Sequence, residues 1–292
     1  MQKIVECVPN FSEGRDLAKI KKIFDAAKKA KSVKVFELEY NKDHNRMLFT
    51  IAGNPEEVMS SAYEAVKAAT NLIDMNRHTG EHPRIGATDV VPFVPVSGLM
   101  MKECVELAKK LGQKVGKELG IPVFLYEEAA TKPENRNLAD IRVGEYEGLK
   151  KKMKEPDYGP NGPHPTAGAM VIGARKYLIA FNVNLDTEDV GVAKKIAKKI
   201  REKSGGLPSV KALGFKVNGK AQVSMNLVDF QKTNFDTVYR AVEAEAKSLG
   251  VEIKNSEIYG MIPMDALVKA VRTTFKADRF KSDQVLEKRL FE

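Results

Sequence analysis

Histidine, arginine and carboxylate side chains are concentrated in one short segment, residues 74–89 (DMNRHTGEHPRIGATD). Two of the chain's four histidines, His78 and His82, lie within these 16 residues, together with two arginines, two glycines and a proline. Imidazole titrates near neutral pH and is the commonest general acid–base group in enzymes. We expect this segment to form an active-site loop; the alternative is a polar loop whose histidines only make hydrogen bonds.

Part of this segment matches a zinc-binding pattern. Residues 78–82 read H-x-x-E-H, the inverted zinc-protease motif, which binds metal only where a helix brings both histidines to one face. Gly80 lies inside the motif and Pro83 follows it directly, so a continuous helix is not expected. No downstream acidic helix stands out as the source of a third ligand. The sequence therefore predicts no metal site.

Shorter polar motifs favour ligand binding over nucleophilic catalysis. Asn10 leaves a strand in CVPNFSEG and is free to face a ligand. Asn45 and Arg46 begin another strand, where a guanidinium can clamp a carboxylate; an exposed charge is the alternative. Cys7 lies between apolar residues and is expected in the core. No P-loop, dinucleotide fingerprint or nucleophile elbow is present, so ATP, NAD and acyl-serine chemistry lack support.

The chain is basic, with 48 Lys+Arg against 39 Asp+Glu and a formal net charge of +9 over 292 residues. Most lysines occur in helical stretches, on the face opposite an apolar stripe, as in residues 188–202. No arginine-rich tract or exposed aromatic series appears, so a nucleic-acid partner is not expected. A small polyanionic ligand remains compatible, because a positive field would steer it toward the site.

The sequence predicts a cytoplasmic protein. No apolar run approaches the roughly 18 residues that span a bilayer, so no membrane partner is expected. The N-terminus has no apolar signal-peptide region and is interpreted as a first strand. Two cysteines, Cys7 and Cys104, cannot build a disulfide framework.

One supersecondary pattern, βαββαβ, occurs twice. In the first half it comprises strands at 3–8, 33–39, 45–52 and 88–94 and helices at 15–29 and 55–73, followed by a helix at 101–119. In the second half it comprises strands at 177–184, 210–217, 221–229 and 256–261 and helices at 188–202 and 235–248. We therefore predict a mixed α/β (α+β) fold of duplicated ferredoxin-like subdomains, 1–175 and 176–292, with a cleft between them.

Polar side chains share one face of two strands in the second half. Asn182 and Asn184 alternate with apolar residues on one strand, as Ser224 and Asn226 do on another. Short amides suit the orientation of a small ligand, although an ordinary solvated sheet face is the alternative. The Pro- and Gly-rich stretch 155–168 separates the halves and is expected to be a linker or a ligand loop.

Several segments together resemble one known family. They are CVPNFSEG, Asn45-Arg46, LIDMNRHTGEHPRIGATDVVPFVPV, IRVGEYEGL, GARKYLIAFNVNL and AQVSMNLVDF, spread over about residues 1–270. These motifs resemble the glutamate formiminotransferase family, and the RHTGEHPRIGATD block is the most specific of them. The resemblance implies two βαββαβ subdomains with the active site in the cleft. It also implies transfer of the formimino group of N-formimino-L-glutamate to tetrahydrofolate in histidine degradation.

The resemblance also implies roles for individual residues. His82 would be the general acid/base, supported by Glu39 and Arg84. Formiminoglutamate would be bound by Asn10, Asn45 and Arg46, with Asn182, Asn184, Ser224 and Asn226 flanking the cleft. The folate-binding segment would be Gly159, Pro160, Asn161, Gly162, Pro163, His164, Pro165, Thr166, Ala167 and Gly168. The glutamyl carboxylates of a (poly)glutamylated folate would match the basic surface, and a homodimer is expected.

Two departures from animal members affect these expectations. Glu39 stands where they carry Asp, and the folate loop is shorter, with His164-Pro165 replacing aromatic and serine residues. Animal members also carry a cyclodeaminase domain, for which 292 residues leave no room, so a separate protein is expected to act next. Two other functions stay open: formyl transfer from 5-formyltetrahydrofolate to glutamate, and non-catalytic folate binding.

Overall fold

The computed structural model describes residues 2–30, 32–151, 153–217 and 219–291. The chain divides into two compact units, Met1–Arg175 and Lys176–Glu292. Among the described residues, none of the helices combines the length and apolar character needed to cross a bilayer.

The first unit is built on a mixed sheet. Its strands are Ile4–Cys7 (β1), Asn10–Phe11 (β2), Val33–Asn41 (β3), Arg46–Gly53 (β4), Thr88–Ser97 (β5), Val123–Glu127 (β6) and Met170–Ala174 (β7). Its α-helices are Leu17–Ala27 (α1), Pro55–Leu72 (α2), Met101–Leu119 (α3), Leu138–Ile141 (α4) and Glu145–Leu149 (α5). Strands β3, β4, β1 and β5 pair antiparallel in that order. The parallel strands β7 and β6 extend the sheet beyond β5, and short β2 lies between β4 and β5.

The local sequence explains where the helix α2 begins. Asn54 caps it, since its Oδ1 accepts a hydrogen bond from the Glu56 backbone N–H at 3.1 Å. Pro55 occupies the first helical position, where it forfeits no hydrogen bond. The helix ends at Leu72, close to the predicted Ile73. Cys7 is fully buried in the apolar core of this unit, and burial raises the pKa of its thiol well above the usual value.

The second unit contains a four-stranded antiparallel sheet. Its strands are Ile179–Leu185 (β8), Val210–Val217 (β9), Lys220–Leu227 (β10) and Ile253–Tyr259 (β11), arranged in the order β11-β8-β10-β9. Its α-helices are Val190–Ile200 (α6), Phe235–Ser248 (α7), Met264–Phe275 (α8) and Leu286–Phe291 (α9). The predicted apolar stripe of α6 is buried, so its lysines face solvent.

The predicted mixed α/β class is confirmed by the two sheets and their helices. Strand β7 and helix α8 are among the elements that were not predicted. Strand β7 is a fully buried run, MVIGA, that follows the Pro- and Gly-rich stretch and pairs parallel with β5 and β6. Such a short apolar run lacks the alternation that marks a half-buried strand. Helix α8 was also missed, because it has only a narrow stripe of small buried residues.

Candidate functional site

A small pocket in the first unit brings the predicted chemistry together. It is lined by residues of β2, of the β3–β4 turn and of the 74–89 segment: Phe11, Ser12, His44, Asn45, Arg46, His78, His82, Arg84 and Asp89. Three of the chain's four histidines therefore lie around one concavity. Of the predicted residues, His82, Arg84, Asn45 and Arg46 line it.

Asn45 ties three chain segments together beneath the pocket. Its backbone adopts a left-handed conformation, φ +47°. The side-chain Oδ1 accepts a hydrogen bond from the Gly14 N–H at 2.9 Å, and Nδ2 donates to the Thr79 carbonyl at 2.9 Å. Asparagine tolerates this conformation better than most residues do. Since these side-chain bonds are internal, Asn45 positions the site.

A glycine allows the 74–89 segment to approach the β3–β4 turn closely. A Cβ atom on Gly80 would lie only 2.4 Å from the backbone carbonyl oxygen of His44. The neighbouring Glu81 N–H donates to the Asp43 carbonyl at 3.2 Å. The two backbones are thus in contact at the point where His44 and His82 face the pocket.

His82 is held in its neutral form. Burial lowers the pKa of its imidazole to about 3, and the positive charges of Arg46 and Arg142 and the nearby His44 ring act in the same direction. A hydrogen bond to the backbone of Pro83 opposes this shift. A neutral imidazole has a free electron pair on one nitrogen and can accept a proton. The neutral ring of His82 is therefore able to accept a proton.

His78 has both ring nitrogens engaged. Its Nδ1 accepts a hydrogen bond from Arg84 Nε at 3.2 Å, which leaves Nε2 to carry the proton and donate to the Asn45 carbonyl at 3.0 Å. Burial lowers the pKa of this imidazole. His78 is therefore a buried positioning residue.

The Arg84 guanidinium is fully engaged within the protein. Nη1 donates to Glu145 and Glu147 at 2.6 and 2.9 Å, and Nη2 donates to Glu147 at 2.6 Å and to the His78 carbonyl at 3.5 Å. Its hydrogen bond to Glu147 is the main reason that the pKa of Arg84 is raised. With all donors occupied, Arg84 connects α5 to His78.

Arg46 is in the opposite situation. Its Nη2 donates to the Asn10 Oδ1, whose amide nitrogen in turn donates to the Val8 carbonyl at 2.7 Å. Its buried Nε has no hydrogen-bond partner within the described chain. Burial lowers the pKa of this guanidinium to about 10, although the carboxylates of Asp89 and Glu39 oppose the shift. A desolvated guanidinium with spare donors is suited to a carboxylate ligand.

Glu39 lies near this cluster but not against His82. Within the described chain it forms no ion pair or hydrogen bond with that ring. The pairing of β3 with β4 shifts register between Phe36 and Glu39, where Glu37 has φ +53°. Burial and the charge of Glu37 raise the pKa of Glu39, and Arg46 acts in the opposite direction.

Two ionisable residues of the pocket, His44 and Asp89, and the neighbouring Arg142 were not singled out from the sequence. His44 precedes the Asn45-Arg46 motif, and Asp89 closes the 74–89 segment. Asp89 accepts a hydrogen bond from the Ile85 N–H at 3.0 Å and forms an ion pair with Arg142, which lies next to the pocket. The only sequence signals were that Asp89 ends a dense polar segment and that Arg142 belongs to IRVGEYEGL.

The predicted folate loop, residues 159–168, forms no helix or strand. Gly159 has φ +86° and lies against Gly116 of α3. A Cβ atom on Gly116 would lie only 2.7 Å from the backbone nitrogen of Gly159. At the other end, Ala167 accepts a hydrogen bond from the Ala87 N–H at 2.9 Å and Thr166 accepts one from the Met75 N–H at 2.8 Å. Both ends are therefore fixed, the second directly to the 74–89 segment.

His164 closes the end of this loop. Its backbone exchanges hydrogen bonds with Gly168 at 2.8 and 3.1 Å, and its Nδ1 accepts from the N–H groups of Thr166 and Ala167 at 3.3 and 3.0 Å. Burial lowers the pKa of this imidazole. Because Nδ1 is an acceptor, the neutral ring carries its proton on Nε2. Of the remaining loop residues, Pro160, Asn161, Gly162, Pro163 and Pro165 lie at or near the surface.

In the second unit the predicted polar residues do share one sheet face. Ser224 pairs with Asn182 and Gln222 with Asn184, while Asn226 lies further along β10. Asn184 is engaged, since it donates to Asn255 Oδ1 at 2.7 Å and accepts from Gln222 Nε2 at 2.9 Å.

The side chains of Asn182, Ser224 and Asn226 make no hydrogen bond within the described chain. They are partly or fully accessible to solvent, so their polar atoms can meet a ligand.

The His-Thr-Gly-Glu-His segment is a loop and not a helix. His78 uses both nitrogens within the protein, as described above. Over the described residues, no group of three or more His, Cys, Asp or Glu side chains is arranged to hold a metal ion.

The fold is of the mixed α/β class, and its pocket brings together imidazole, guanidinium and carboxylate side chains. Comparison with known proteins adds the family. The formiminotransferase domain, N-terminal subdomain, matches residues 4–175, and the formiminotransferase domain matches residues 180–288. The chain belongs to the formiminotransferase family.

Similar proteins cover nearly the whole chain. A glutamate formimidoyltransferase of Streptococcus pyogenes is 43% identical over 99% of both chains. One of Thermoplasma acidophilum is 44% identical over 98% of this chain and 97% of its own. A formimidoyltransferase-cyclodeaminase of Rattus norvegicus is 42% identical over 96% of this chain but only 54% of its own.

Proposed function

We propose that this chain is a glutamate formimidoyltransferase. It transfers the formimino group of N-formimino-L-glutamate to tetrahydrofolate, yielding 5-formiminotetrahydrofolate and L-glutamate in histidine degradation. One observation carries the proposal: two proteins bearing that name are 43% and 44% identical to the chain over almost their full lengths. The pocket supports it, since it combines acid–base groups with an incompletely satisfied guanidinium.

His82 is the general acid/base of this proposal. Nitrogen 5 of the reduced pterin attacks the amidine carbon and must lose a proton as the tetrahedral intermediate forms. The neutral imidazole of His82, with its pKa near 3, holds a free electron pair for that proton. Positioned proton transfer of this kind contributes about 10²- to 10⁴-fold to a rate.

Arg46 binds a carboxylate of formiminoglutamate in this scheme. Its buried Nε has no partner within the described chain, and an approaching carboxylate would satisfy it. A bound carboxylate would also raise the pKa of His82 by neutralising part of the positive charge around it. The donor substrate would thereby make the imidazole a stronger base when it is needed.

The loop 159–168 binds the folate in the same scheme. Its hydrogen bonds to the 74–89 segment, from Ala87 to Ala167 and from Met75 to Thr166, place both proposed binding segments on one rigid base. In the second unit, the amides of Asn182 and Asn226 and the hydroxyl of Ser224 make no hydrogen bond within the described chain, so each is free to bind a folate. Two substrates held in this way react at a much higher effective concentration.

The test is product formation with two donors. In one mixture the protein is given tetrahydrofolate and formiminoglutamate. In a second mixture it is given 5-formyltetrahydrofolate and glutamate. The folate product of each mixture is followed by its absorption spectrum. Formation of the 5-formimino product at the higher kcat/KM supports the proposal. A preference for the formyl donor favours formyl transfer, and tight folate binding without turnover in either mixture favours a folate-binding protein.

Two finer features belong to the same proposal. We expect a cytoplasmic homodimer, and sedimentation equilibrium of the purified chain would test the dimer. The reaction needs tetrahydrofolate as a co-substrate and uses no metal in the proposed steps. Dialysis against a chelator should therefore leave turnover unchanged.

A further inference from the structure

His44 is the imidazole of this pocket that the proposed function leaves without a role. It lies in the turn between β3 and β4, its side chain is exposed, and its ring centroid is 6.1 Å from that of His82, with the planes inclined at 55°. We propose that His44 is a second acid–base residue of the transfer and donates the proton that the departing glutamate nitrogen requires. This role rests on the proposed function and adds a residue to it.

The backbone fixes His44 beside His82 even though its ring is exposed. Asn41 Oδ1 accepts hydrogen bonds from the N–H groups of Asp43 and His44, both at 2.9 Å. The Glu81 N–H donates to the Asp43 carbonyl on the other side of the turn, at 3.2 Å. Gly80 also lies against the His44 carbonyl, where an added Cβ would come within 2.4 Å of the oxygen.

The two rings have different surroundings. His82 is partly buried beside cationic groups that disfavour its protonated form, whereas His44 lies at the solvent-exposed edge and can exchange protons with water. The ionisable and charged groups around the pair are Glu39 on β3, Asp43 in the turn, Arg46 on β4, His78, Glu81 and Arg84 in the 74–89 segment, Asp89 on β5 and Arg142 after α4. This asymmetry assigns proton acceptance to His82 and proton donation to His44.

The spacing suits two proton transfers at one carbon. The attacking and departing nitrogens of a tetrahedral intermediate are about 2.4 Å apart, from ordinary C–N lengths and angles. Each must lie within hydrogen-bond reach of its own proton carrier. Two imidazoles with centroids 6.1 Å apart can flank such a pair of nitrogens, one ring to each.

The step balances without a further reactant. Nitrogen 5 of tetrahydrofolate forms a bond to the carbon of the protonated amidine, the C=N π pair moves onto the imino nitrogen, and the N5 proton passes to His82. That pair then re-forms the C=N bond as the bond between the carbon and the glutamate nitrogen breaks, and the electron pair left on the glutamate nitrogen takes a proton from protonated His44. Afterwards His82 releases its proton to solvent and His44 takes one up, so that both rings return to their starting states.

The variant His44→Gln tests this role, measured as kcat and KM from pH 5 to 10 with both substrates. A proton donor works only when protonated, so the wild-type rate should fall toward alkaline pH. We expect His44→Gln to lower kcat by about 10²-fold, which is the low end of what acid–base groups contribute. The variant should also lose the fall in rate at alkaline pH. His44→Ala should regain part of its rate when imidazole is added, and circular dichroism should show both variants folded.

Asp43→Asn is the matched control, because it alters an exposed side chain of the same turn, and it should keep kcat near the wild-type value. An active wild type with a His44→Gln variant of unchanged kcat and pH profile would remove His44 from the mechanism. So would an effect on KM alone. A wild-type chain without formimino transfer would instead remove the proposed function, and this role with it.

Discussion

The polar residues of the two units are organised in opposite ways. In the first unit Asn45, His78 and Arg84 are joined to one another and to distant segments by hydrogen bonds. In the second unit Asn182, Ser224 and Asn226 lie side by side on an antiparallel sheet and make no hydrogen bond within the described chain. The first arrangement positions reacting groups in advance, whereas the second leaves polar atoms available for a ligand.

Arg46 is the exception in the first unit, and its removal should have the largest effect among the binding residues. We expect Arg46→Gln to raise KM for the formimino donor by about 10²-fold, because charge-assisted hydrogen bonds contribute about 1.5–3 kcal/mol. Steady-state kinetics at saturating tetrahydrofolate would measure it. Arg77→Gln, an exposed arginine of the same segment, is the control, and equal KM values for the two variants would contradict the role of Arg46.

The internal network should matter more for turnover than for substrate affinity. In the double variant Glu145→Gln and Glu147→Gln, Arg84 loses both carboxylate partners and His78 is held less firmly. We expect kcat to fall about 10-fold with little change in KM, since small displacements of catalytic groups reduce rate. Glu134→Gln, exposed on a neighbouring turn, should behave as wild type. A rise in KM with normal kcat would mean that Arg84 contacts substrate instead.

On the sheet face of the second unit that carries Asn182, Ser224 and Asn226, a substitution should be able to weaken ligand binding without lowering the stability of the fold. Asn182→Ala removes no hydrogen bond within the described chain, so its free energy of unfolding should change by less than about 0.5 kcal/mol. Its folate affinity should fall about 3- to 10-fold, the value of one or two hydrogen bonds.

Gln222→Ala provides the contrast on the same face. Its buried side chain bonds Asn184 at 2.9 Å, so we expect a loss of about 1 kcal/mol in unfolding free energy. Urea titration and isothermal calorimetry would measure both variants. The contrary result would be an Asn182→Ala variant that is destabilised as much as Gln222→Ala and binds folate unchanged. That result would show that Asn182 has a structural role, like the hydrogen-bonded residues of the first unit, and is not available to a ligand.

Stability should also depend on pH through His82. The pKa of His82 is lowered from 6.5 to about 3 in the folded chain, so the unfolded chain binds the extra proton between those values. Stability should therefore be lost as pH falls from about 6.5 toward 3, in addition to other losses. Urea unfolding at several pH values should show a steeper loss for wild type than for His82→Gln. Parallel curves would mean that the ring titrates normally.

Local patterns predicted the elements of the fold well, because caps and periodicity act over a few residues. The helix predicted at 55–73 is observed at Pro55–Leu72, and the alternation of Asn182 and Asn184 correctly placed them on one face of β8. Strand β7 lacked such a local signal. Its partners come from β5 and β6, far away in the chain.

The candidate site shows the same limit. The crowding of titratable residues in 74–89 indicated the right segment, and the structure places His82 in the pocket. The engagement of Arg84 with α5 depends on carboxylates more than 60 residues away, so no local pattern could reveal it. His44 is a single exposed histidine in a turn, and it comes close to His82 through contacts with a segment more than 30 residues away, at Gly80 and Glu81.

The most direct test is the turnover of His82→Gln measured together with its binding of both substrates. If this imidazole carries the proton from the pterin, kcat should fall by about 10²-fold or more while the dissociation constants and the folded state stay near wild type. A His82→Gln variant that transfers the formimino group at the wild-type rate would show that another group performs the chemistry.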